Sequence, residues 1–130
     1  MLEGTCHCGA VSWRFDAEPS GATSCNCTVC RRHGALWIYD FEGVGVSAAG
    51  PTNTYIRGEA QLAFHFCAVC GCVVYWRSLT TGPDGLRRMA VNVRLAEPEK
   101  VAHLPIDHFD GLTTFTDLPR DGRTVRDMWF

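Results

Sequence analysis

Long hydrophobic runs and an excess of basic residues are both missing from this sequence. No apolar stretch approaches the roughly 18 residues of a membrane span, and the opening MLEGTCHCGA lacks the charged and then apolar segments of a signal peptide. Lys and Arg total 12 against 14 Asp and Glu, so electrostatics give no reason to expect nucleic acid as a partner. The sequence therefore predicts a cytoplasmic protein that binds neither a membrane nor nucleic acid.

Internal repeats, low-complexity tracts and long polar linkers are also absent. The chain has 130 residues, which is enough to bury a hydrophobic core. Its 46% of hydrophobic and 20% of charged residues are ordinary for a globular protein. We therefore expect a single domain over residues 1–130, of unknown oligomeric state.

Most of the chain alternates short apolar segments with turn residues, which is typical of strands. A helical pattern is confined to CTVCRRHG at 27–34, which Gly34 ends. The tail from 105 to 130 has several turn residues and little periodicity, so we expect an ordered loop there. The sequence thus predicts a mainly β fold built on small sheets. The predicted strands cover residues 10–15, 35–41, 44–48, 53–58, 63–66, 72–78 and 87–95.

The eight cysteines are the most unusual feature of the composition. In a reducing cytoplasm, such a density of cysteine indicates metal binding more often than disulfides. The spacing agrees, because the thiols cluster in C-x-C, C-x-C-x-x-C and C-x-x-C-G-C motifs. Ligands about 2.3 Å from a zinc ion must lie within roughly 4 Å of each other. Disulfides or redox-active thiols are the alternatives.

Two cysteine pairs that are far apart in the sequence are predicted to close one tetrahedral zinc site. They are Cys6, Cys8, Cys67 and Cys70. Gly9 and Gly71 each follow the second cysteine of a pair, where a tight turn favours a residue that tolerates positive φ. Such a site joins the N-terminal segment to the middle of the chain and stabilises the fold. A set in which Cys72 replaces one of the four is the alternative.

A third cluster, CNCTVC, places Cys25, Cys27 and Cys30 within one turn. Three thiolates on one face of a zinc ion leave its fourth position open for water or a substrate thiol, which is typical of catalytic zinc. One alternative is a closed site with His33 or Cys72 as the fourth ligand. Another is a site that is empty or oxidised.

Three segments in order resemble a known family: GTCHCGAVSWRF, CNCTVCRRHGA and FHFCAVCGCVVYW. Their motifs G-x-C-x-C-G-x-V, C-x-C-x-x-C-R and F-C-x-x-C-G are similar to those of the glutathione-dependent formaldehyde-activating enzyme family, which also includes centromere protein V-like proteins. The segment PIDHFDG and the tryptophan near the end are weaker markers of the same family. The resemblance extends over most of the chain.

The resemblance implies a β-tent fold similar to that of Mss4, with small antiparallel sheets and two zinc ions. Four cysteines would hold a structural zinc, and three would hold the zinc that is catalytic in the enzyme that names the family. The structural ligands would be Cys6, Cys8, Cys67 and Cys70, and the catalytic set would be Cys25, Cys27 and Cys30. Cys72 departs from the family pattern, and is interpreted as a small buried residue, an extra zinc ligand or a redox partner.

The resemblance also implies a reaction, in which a carbon–sulfur lyase reversibly joins a thiol to an aldehyde. Glutathione is the expected thiol and formaldehyde the expected aldehyde. A proton donor would stabilise the developing alkoxide, and His33 is the nearest candidate in the sequence. His65 is interpreted as a hydrogen-bonded core residue, and His108 either lines the site or orders the tail. Two other functions stay open: an enzyme for another small aldehyde or thiol, and a non-catalytic zinc module that binds a protein.

Overall fold

The computed structural model describes residues 1–58 and 60–129, which form strands and a few short helices. The α-helices are α1 (Cys30–His33) and α2 (Pro98–Val101), and the 3-10 helices are Val93–Leu95 and Val125–Met128. None of the helices in the described residues is long and apolar enough to cross a membrane. The strands are β1 (Leu2–Thr5), β2 (Ser12–Phe15), β3 (Ala22–Cys25), β4 (Trp37–Phe41), β5 (Val46–Ala49), β6 (Thr52–Ile56), β7 (Leu62–Cys67), β8 (Val73–Ser78), β9 (Arg88–Asn92), β10 (Ile106–Asp110) and β11 (Thr116–Leu118).

The strands form two sheets, which confirms the predicted mainly β fold. One sheet has three strands, in the order β1, β2, β5. The other has eight strands, in the order β11, β10, β3, β4, β9, β8, β7, β6. The paired strands are antiparallel except for β3 and β10, which run parallel.

Each of the seven predicted strand segments overlaps an observed strand, and these strands are β2 and β4 through β9. The helical turn predicted at 27–34 corresponds to α1, and Gly34 ends it in a left-handed conformation. The prediction of a loop for the whole tail is wrong, because Ile106–Asp110 and Thr116–Leu118 pair as β10 and β11. β10 also pairs with β3, which is distant in sequence, so this pairing left no local pattern to recognise.

Hydrophobic side chains cover both faces of the eight-stranded sheet, because successive residues of a strand point to opposite faces. On one face, Met89 and Val91 pack in a cluster with Trp13 and Phe15 of the three-stranded sheet. Ala90, which lies between them in β9, belongs to a smaller hydrophobic cluster on the other face. This smaller hydrophobic cluster contains Cys27, Cys30, Ala35, Trp37, Phe64, Trp76 and Ala90. The three-cysteine segment therefore lies on the face opposite the three-stranded sheet.

Candidate metal centres and the adjoining cavity

Two pairs of thiols that are distant from each other in sequence meet beside the ends of β1 and β7, which belong to different sheets. Cys6 and Cys8 follow β1, while Cys67 ends β7 and Cys70 lies in the turn before β8. The Sγ atom of Cys8 is 3.6 Å from those of both Cys6 and Cys67, and all four Sγ atoms lie within 4.8 Å of one another. Four sulfur atoms around a tetrahedral zinc would be about 3.8 Å apart, so the arrangement fits the ion.

Backbone N–H groups point at these sulfur atoms, as thiolates require. Val11 donates to the Sγ of Cys6 at 3.3 Å, and Val69 and Cys70 donate to the Sγ of Cys67 at 3.3 and 3.4 Å. Hydrogen bonds from the backbone N–H of Cys72, and next from that of Cys8, lower the pKa of Cys70 to about 5. Because a zinc ligand must be deprotonated, these donors favour the metal-binding form.

The turns that hold the four thiols have the predicted backbone. Gly9 and Gly71 both have positive φ, at 81° and 79°. Cys72 is half-buried and packs against the hydrophobic core. Its carbonyl accepts a hydrogen bond from the N–H of Cys67 at 2.9 Å. Among the described residues, Cys72 does not join the group of four thiols, which is the set that the motifs predicted.

The second cluster consists of Cys25, Cys27 and Cys30. Cys25 ends β3 and Cys30 begins α1, so the cluster is made by the turn between them. The three Sγ atoms lie within 4.8 Å of one another, and the N–H of Cys30 donates to the Sγ of Cys27 at 3.2 Å. Within residues 1–58 and 60–129, no Cys, His, Asp or Glu side chain completes the group as a fourth member. A metal held here would therefore have three protein ligands.

The thiols of Cys25 and Cys30 have pKa values that are shifted in opposite directions. The hydrogen bond from Cys30 is the largest influence on Cys25, and with backbone N–H groups of Cys27 and Gly111 it lowers the pKa of Cys25 to about 6 despite burial. The same hydrogen bond, together with burial, raises the pKa of Cys30. One thiol of the cluster is therefore readily ionised, which suits a set of ligands for a soft divalent metal such as zinc.

Gly111 brings the tail against the second cluster. This residue follows β10, which runs parallel to β3 and so ends beside Cys25. A Cβ atom at Gly111 would lie 2.8 Å from the Sγ of Cys25 and 3.0 Å from the Cβ of Cys27. The absence of a side chain is what allows the tail to approach the sulfur so closely.

A cavity of about 590 Å³ opens beside the second cluster, and all three of its cysteines line the cavity. Its charged lining groups, Arg57, Arg88 and Asp117, are exposed or half-buried. The guanidinium of Arg88 stands 5.6 Å from the centre of the Tyr39 ring. The aromatic residues of the wall are Trp37, Tyr39, Phe64, Trp76, Phe109 and Phe115. The three thiols thus line a cavity whose aromatic wall is buried at Trp37, Phe64 and Trp76, while its charged groups are nearer to solvent.

Comparison with known proteins assigns these features to a family. Residues 1–102 match the sequence model described as glutathione-dependent formaldehyde-activating enzyme, GFA, and this part contains all seven clustered cysteines. The chain belongs to the GFA family. A Halomonas elongata protein, provisionally named a glutathione-dependent formaldehyde-activating enzyme, is 27% identical in an alignment 121 residues long, which covers 83% of this chain and 76% of that protein.

A solved structure supports the fold of this GFA-family chain. The crystal structure of a Rhodobacter sphaeroides protein superposes with a TM-score of 0.61 at 24% sequence identity. The match covers 81% of this chain and 99% of the Rhodobacter chain. The architecture of two sheets is therefore shared with a protein of low sequence similarity.

The histidines that the sequence singled out lie outside the cavity. His33 lines a different groove, with Arg32, Tyr55 and Phe66 among its neighbours there, and burial lowers the pKa of His33. His108 lies 3.2 Å from the Asp121 carboxylate and so connects β10 to the chain that follows β11. Neither histidine is among the described residues that line the cavity. The role of His33 as a proton donor stays a prediction.

His65 is hydrogen-bonded, as predicted, but half-buried rather than in the core. Its Nδ1 lies 2.8 Å from the Thr52 hydroxyl, and its ring stacks on Tyr75 at 4.4 Å. Burial, followed by the charge of Arg77, lowers the pKa of His65 to about 4. The imidazole is therefore neutral at physiological pH and serves to hold β6, β7 and β8 together.

Sequence reasoning missed the contribution of the tail and of Asn26 to the site. Asn26, the middle residue of C-x-C, donates to the Asp110 carboxylate at 3.1 Å and accepts from the N–H of Leu112 at 3.0 Å. The dipeptide Asp110-Gly111 was visible as a turn signal, but nothing local connects it to a cysteine motif 80 positions earlier. The parallel pairing of β3 with β10 makes the connection.

Proposed function

We propose that this GFA-family protein is a zinc-dependent carbon–sulfur lyase that reversibly joins glutathione to formaldehyde. In the joining direction, the sulfur of the thiol forms a bond to the carbonyl carbon while the C=O π bond breaks. The thiol proton ends on the new hydroxyl oxygen, so no oxidant or reductant is needed. The observation that carries the proposal is the cavity beside Cys25, Cys27 and Cys30, a cluster with no fourth protein ligand in the described chain.

Zinc ions would occupy both clusters, one with four thiolates and a structural role, the other with three thiolates and an open position. Cys25, Cys27 and Cys30 would hold the second zinc, and a zinc ion there would supply the Lewis acidity that lowers the pKa of a substrate thiol. The chain itself supplies the N–H of Cys30, which bonds to the Sγ of Cys27 and keeps negative charge on the ligands. The low pKa of Cys25 acts in the same direction.

The charged groups of the cavity suit glutathione. Glutathione carries two carboxylates and one ammonium group, while Arg57, Arg88 and Asp117 present two positive charges and one negative charge. If the charged groups of glutathione pair with these three side chains, its cysteinyl thiol can be directed towards Cys25, Cys27 and Cys30. Ion pairs at such exposed positions orient a ligand more than they tighten its binding.

Two side chains of the wall could hydrogen-bond the aldehyde oxygen. Tyr39 retains its hydroxyl proton, since burial raises the pKa of Tyr39. The indole N–H of Trp37 is buried and has no hydrogen-bond partner in the described residues. The sequence pointed to His33, but the lining of the cavity favours Tyr39 as the donor that protonates the developing alkoxide. Both assignments are proposals that paired variants can separate.

The remaining expectations from the resemblance belong to this proposal. They are a β-tent fold of the Mss4 type in a single domain over residues 1–130, and action in the cytoplasm without nucleic acid or membrane partners. The alternative of a non-catalytic zinc module would require a second zinc that is closed. The aromatic cavity that the three cysteines line supports the enzyme instead.

An adduct-formation assay combined with zinc counting tests the proposal. Two-dimensional exchange NMR can measure how fast glutathione and formaldehyde interconvert with S-hydroxymethylglutathione at equilibrium. We expect the zinc-loaded protein, but not protein stripped by a chelator and re-purified, to accelerate this exchange. A protein with two zinc ions per chain and no acceleration for glutathione with any small aldehyde would contradict the lyase assignment and favour the binding module.

A further inference from the structure

We propose that residues 110–115, here called the 110–115 loop, form a specificity element whose Phe115 contacts an apolar group on the substrate. The substrate class would be thiol adducts of aldehydes that carry an aromatic or alkyl group, in addition to the adduct of formaldehyde. This inference rests on the proposed function, because it concerns the cavity beside Cys25, Cys27 and Cys30. Four features of the structure lead to it.

The first feature is the order of the loop, which a single carboxylate organises. Asp110 accepts hydrogen bonds from the N–H groups of Thr113 and Thr114, both at 3.1 Å, and from the Thr114 hydroxyl at 2.8 Å. The N–H of Phe115 bonds back to the carbonyl of Asp110 at 2.7 Å. A loop with this many internal bonds has a defined shape, although it is exposed.

The second feature is that Asn26 attaches this loop to the segment that carries Cys25, Cys27 and Cys30. Its side chain donates to Asp110 and accepts from the N–H of Leu112, and its own N–H donates to the carbonyl of Phe109 at 3.3 Å. Because Asn26 stands between two of the cluster cysteines, the position of the loop is fixed relative to the sulfur atoms. Gly111 completes this contact by its close approach to Cys25.

The third feature is the conformation of Phe115. Its φ is +56°, in the left-handed region that costs free energy for any residue with a Cβ atom. The residue is 75% exposed, yet it lines the cavity, and its ring meets that of Phe109 edge-on with the ring centres 4.9 Å apart. An exposed phenylalanine held in a strained backbone gains little in the free protein. A ligand that covers the ring would supply the missing apolar contact.

The fourth feature is the chemistry of the other aromatic residues that line the cavity. Trp37, Phe64 and Trp76 are at most 8% exposed and line the same cavity. A hydroxymethyl group would fill little of a cavity of about 590 Å³. An aryl or alkyl group on the adduct carbon would instead find apolar contacts with Phe115 and these side chains in the same cavity, and an aryl group could meet the rings edge-on or offset.

Binding of two inert thioethers to the zinc-loaded protein tests the inference. S-benzylglutathione and S-methylglutathione resemble the adducts but cannot react, and calorimetry measures their dissociation constants. We expect Phe115→Ala to weaken S-benzylglutathione about tenfold and S-methylglutathione less than about twofold, as the loss of one aromatic contact implies. Leu112→Ala is the matched control, since Leu112 lies in the same loop and is 53% exposed but does not line the cavity. It should change neither constant.

Equal weakening of both thioethers by Phe115→Ala, no weakening, or the same effect from Leu112→Ala would overturn the inference. The exchange assay with glutathione and either formaldehyde or benzaldehyde separates this failure from failure of the lyase proposal. If the wild type accelerates exchange for formaldehyde alone and shows no preference for the benzyl thioether, the lyase proposal stands and the specificity inference falls. If it accelerates neither aldehyde, the lyase proposal falls and the inference falls with it.

Asn26 is a positioning residue in this scheme, and a double-variant cycle tests that role. Asn26→Ala should weaken S-benzylglutathione as much as Phe115→Ala does, with two zinc ions per chain retained. The variant with both changes should bind S-benzylglutathione no more weakly than either single variant does, because both changes remove the same contact. Additive losses in the double variant would show that Asn26 does not act through Phe115.

Discussion

Gly111 shows at the scale of one residue how the tail shapes the second cluster. We expect Gly111→Ala to weaken zinc at Cys25, Cys27 and Cys30, because the new Cβ atom would sit 2.8 Å from the Sγ of Cys25. Crowding of this kind destabilises a packed site by about 1–3 kcal/mol. Competition with a chromophoric chelator, which resolves the two zinc ions by affinity, measures the effect.

Gly58→Ala is the control for that experiment, since a Cβ atom at Gly58 would meet nothing within 4 Å. It should leave both zinc affinities unchanged. If Gly111→Ala binds both zinc ions as tightly as Gly58→Ala does, the tail does not constrain the second cluster.

Tyr39 and His33 are competing candidates for the proton donor, and their variants are expected to behave differently. Tyr39→Phe should slow adduct exchange by about a hundredfold, in the range of general acid catalysis, without changing the zinc content. His33→Gln should change the rate by less than about threefold, because His33 lines a different groove. Exchange NMR on both variants decides between them. The reverse pattern would restore the assignment made from sequence spacing.

Single residues were predictable from sequence where a motif defined them and not where the fold brought them in. The seven clustered cysteines, with Gly9 and Gly71, follow from spacing and turn chemistry. Tyr39 and Phe115 carry no such mark, since a tyrosine inside an apolar strand and a phenylalanine in a tail are usually core or surface residues. Their place beside the thiols depends on pairing between distant strands.

At the scale of the element, Asn92 links β9 to β8 and to the residue that precedes β4. Its side-chain oxygen accepts from the N–H of Leu36 at 3.3 Å, and its amide donates to the carbonyl of Val73 at 2.9 Å. The residue is 6% exposed, so these partners would be left without hydrogen bonds in Asn92→Ala. We expect a loss of about 2–6 kcal/mol in the free energy of unfolding, because each of these two buried unsatisfied groups costs roughly 1–3 kcal/mol.

Chemical denaturation of zinc-loaded protein measures this loss. Asn53→Ala, at an exposed position of the edge strand β6, serves as the control and should change stability by less than about 0.5 kcal/mol. Similar midpoints for the two variants would mean that water replaces the bonds of Asn92.

Strands that could be predicted from the sequence differ in composition from strands that could not. Segments such as VVYWRS in β8 are rich in β-branched and aromatic residues, so their composition alone indicates a strand. β3 and β10, with sequences ATSC and IDHFD, contain small or charged residues and form because each provides the other's hydrogen bonds. Long-range pairing of this kind cannot be read from a local pattern.

At the scale of the whole molecule, the four-thiol cluster links the two sheets and the three-thiol cluster does not. Cys67→Ser should therefore unfold the protein or lower its melting temperature by more than about 10 °C. Cys30→Ser should lower it by about 5 °C or less, because the metal there closes only a short turn. The variant should also lose one zinc ion and the adduct exchange. Calorimetry and elemental analysis compare the two variants, and equal unfolding would make the second cluster a structural site.

The central claim is that Cys25, Cys27 and Cys30 hold a metal whose fourth position accepts a thiol. Cadmium-113 NMR of protein loaded with two cadmium ions tests it most directly, because each cluster gives its own resonance and the shift depends on the number of sulfur ligands. We predict two resonances, of which one moves towards the position of the four-thiolate site when glutathione is added, while the other stays fixed. If the chemical shifts of both resonances stay unchanged at a saturating concentration of glutathione, the claim is contradicted.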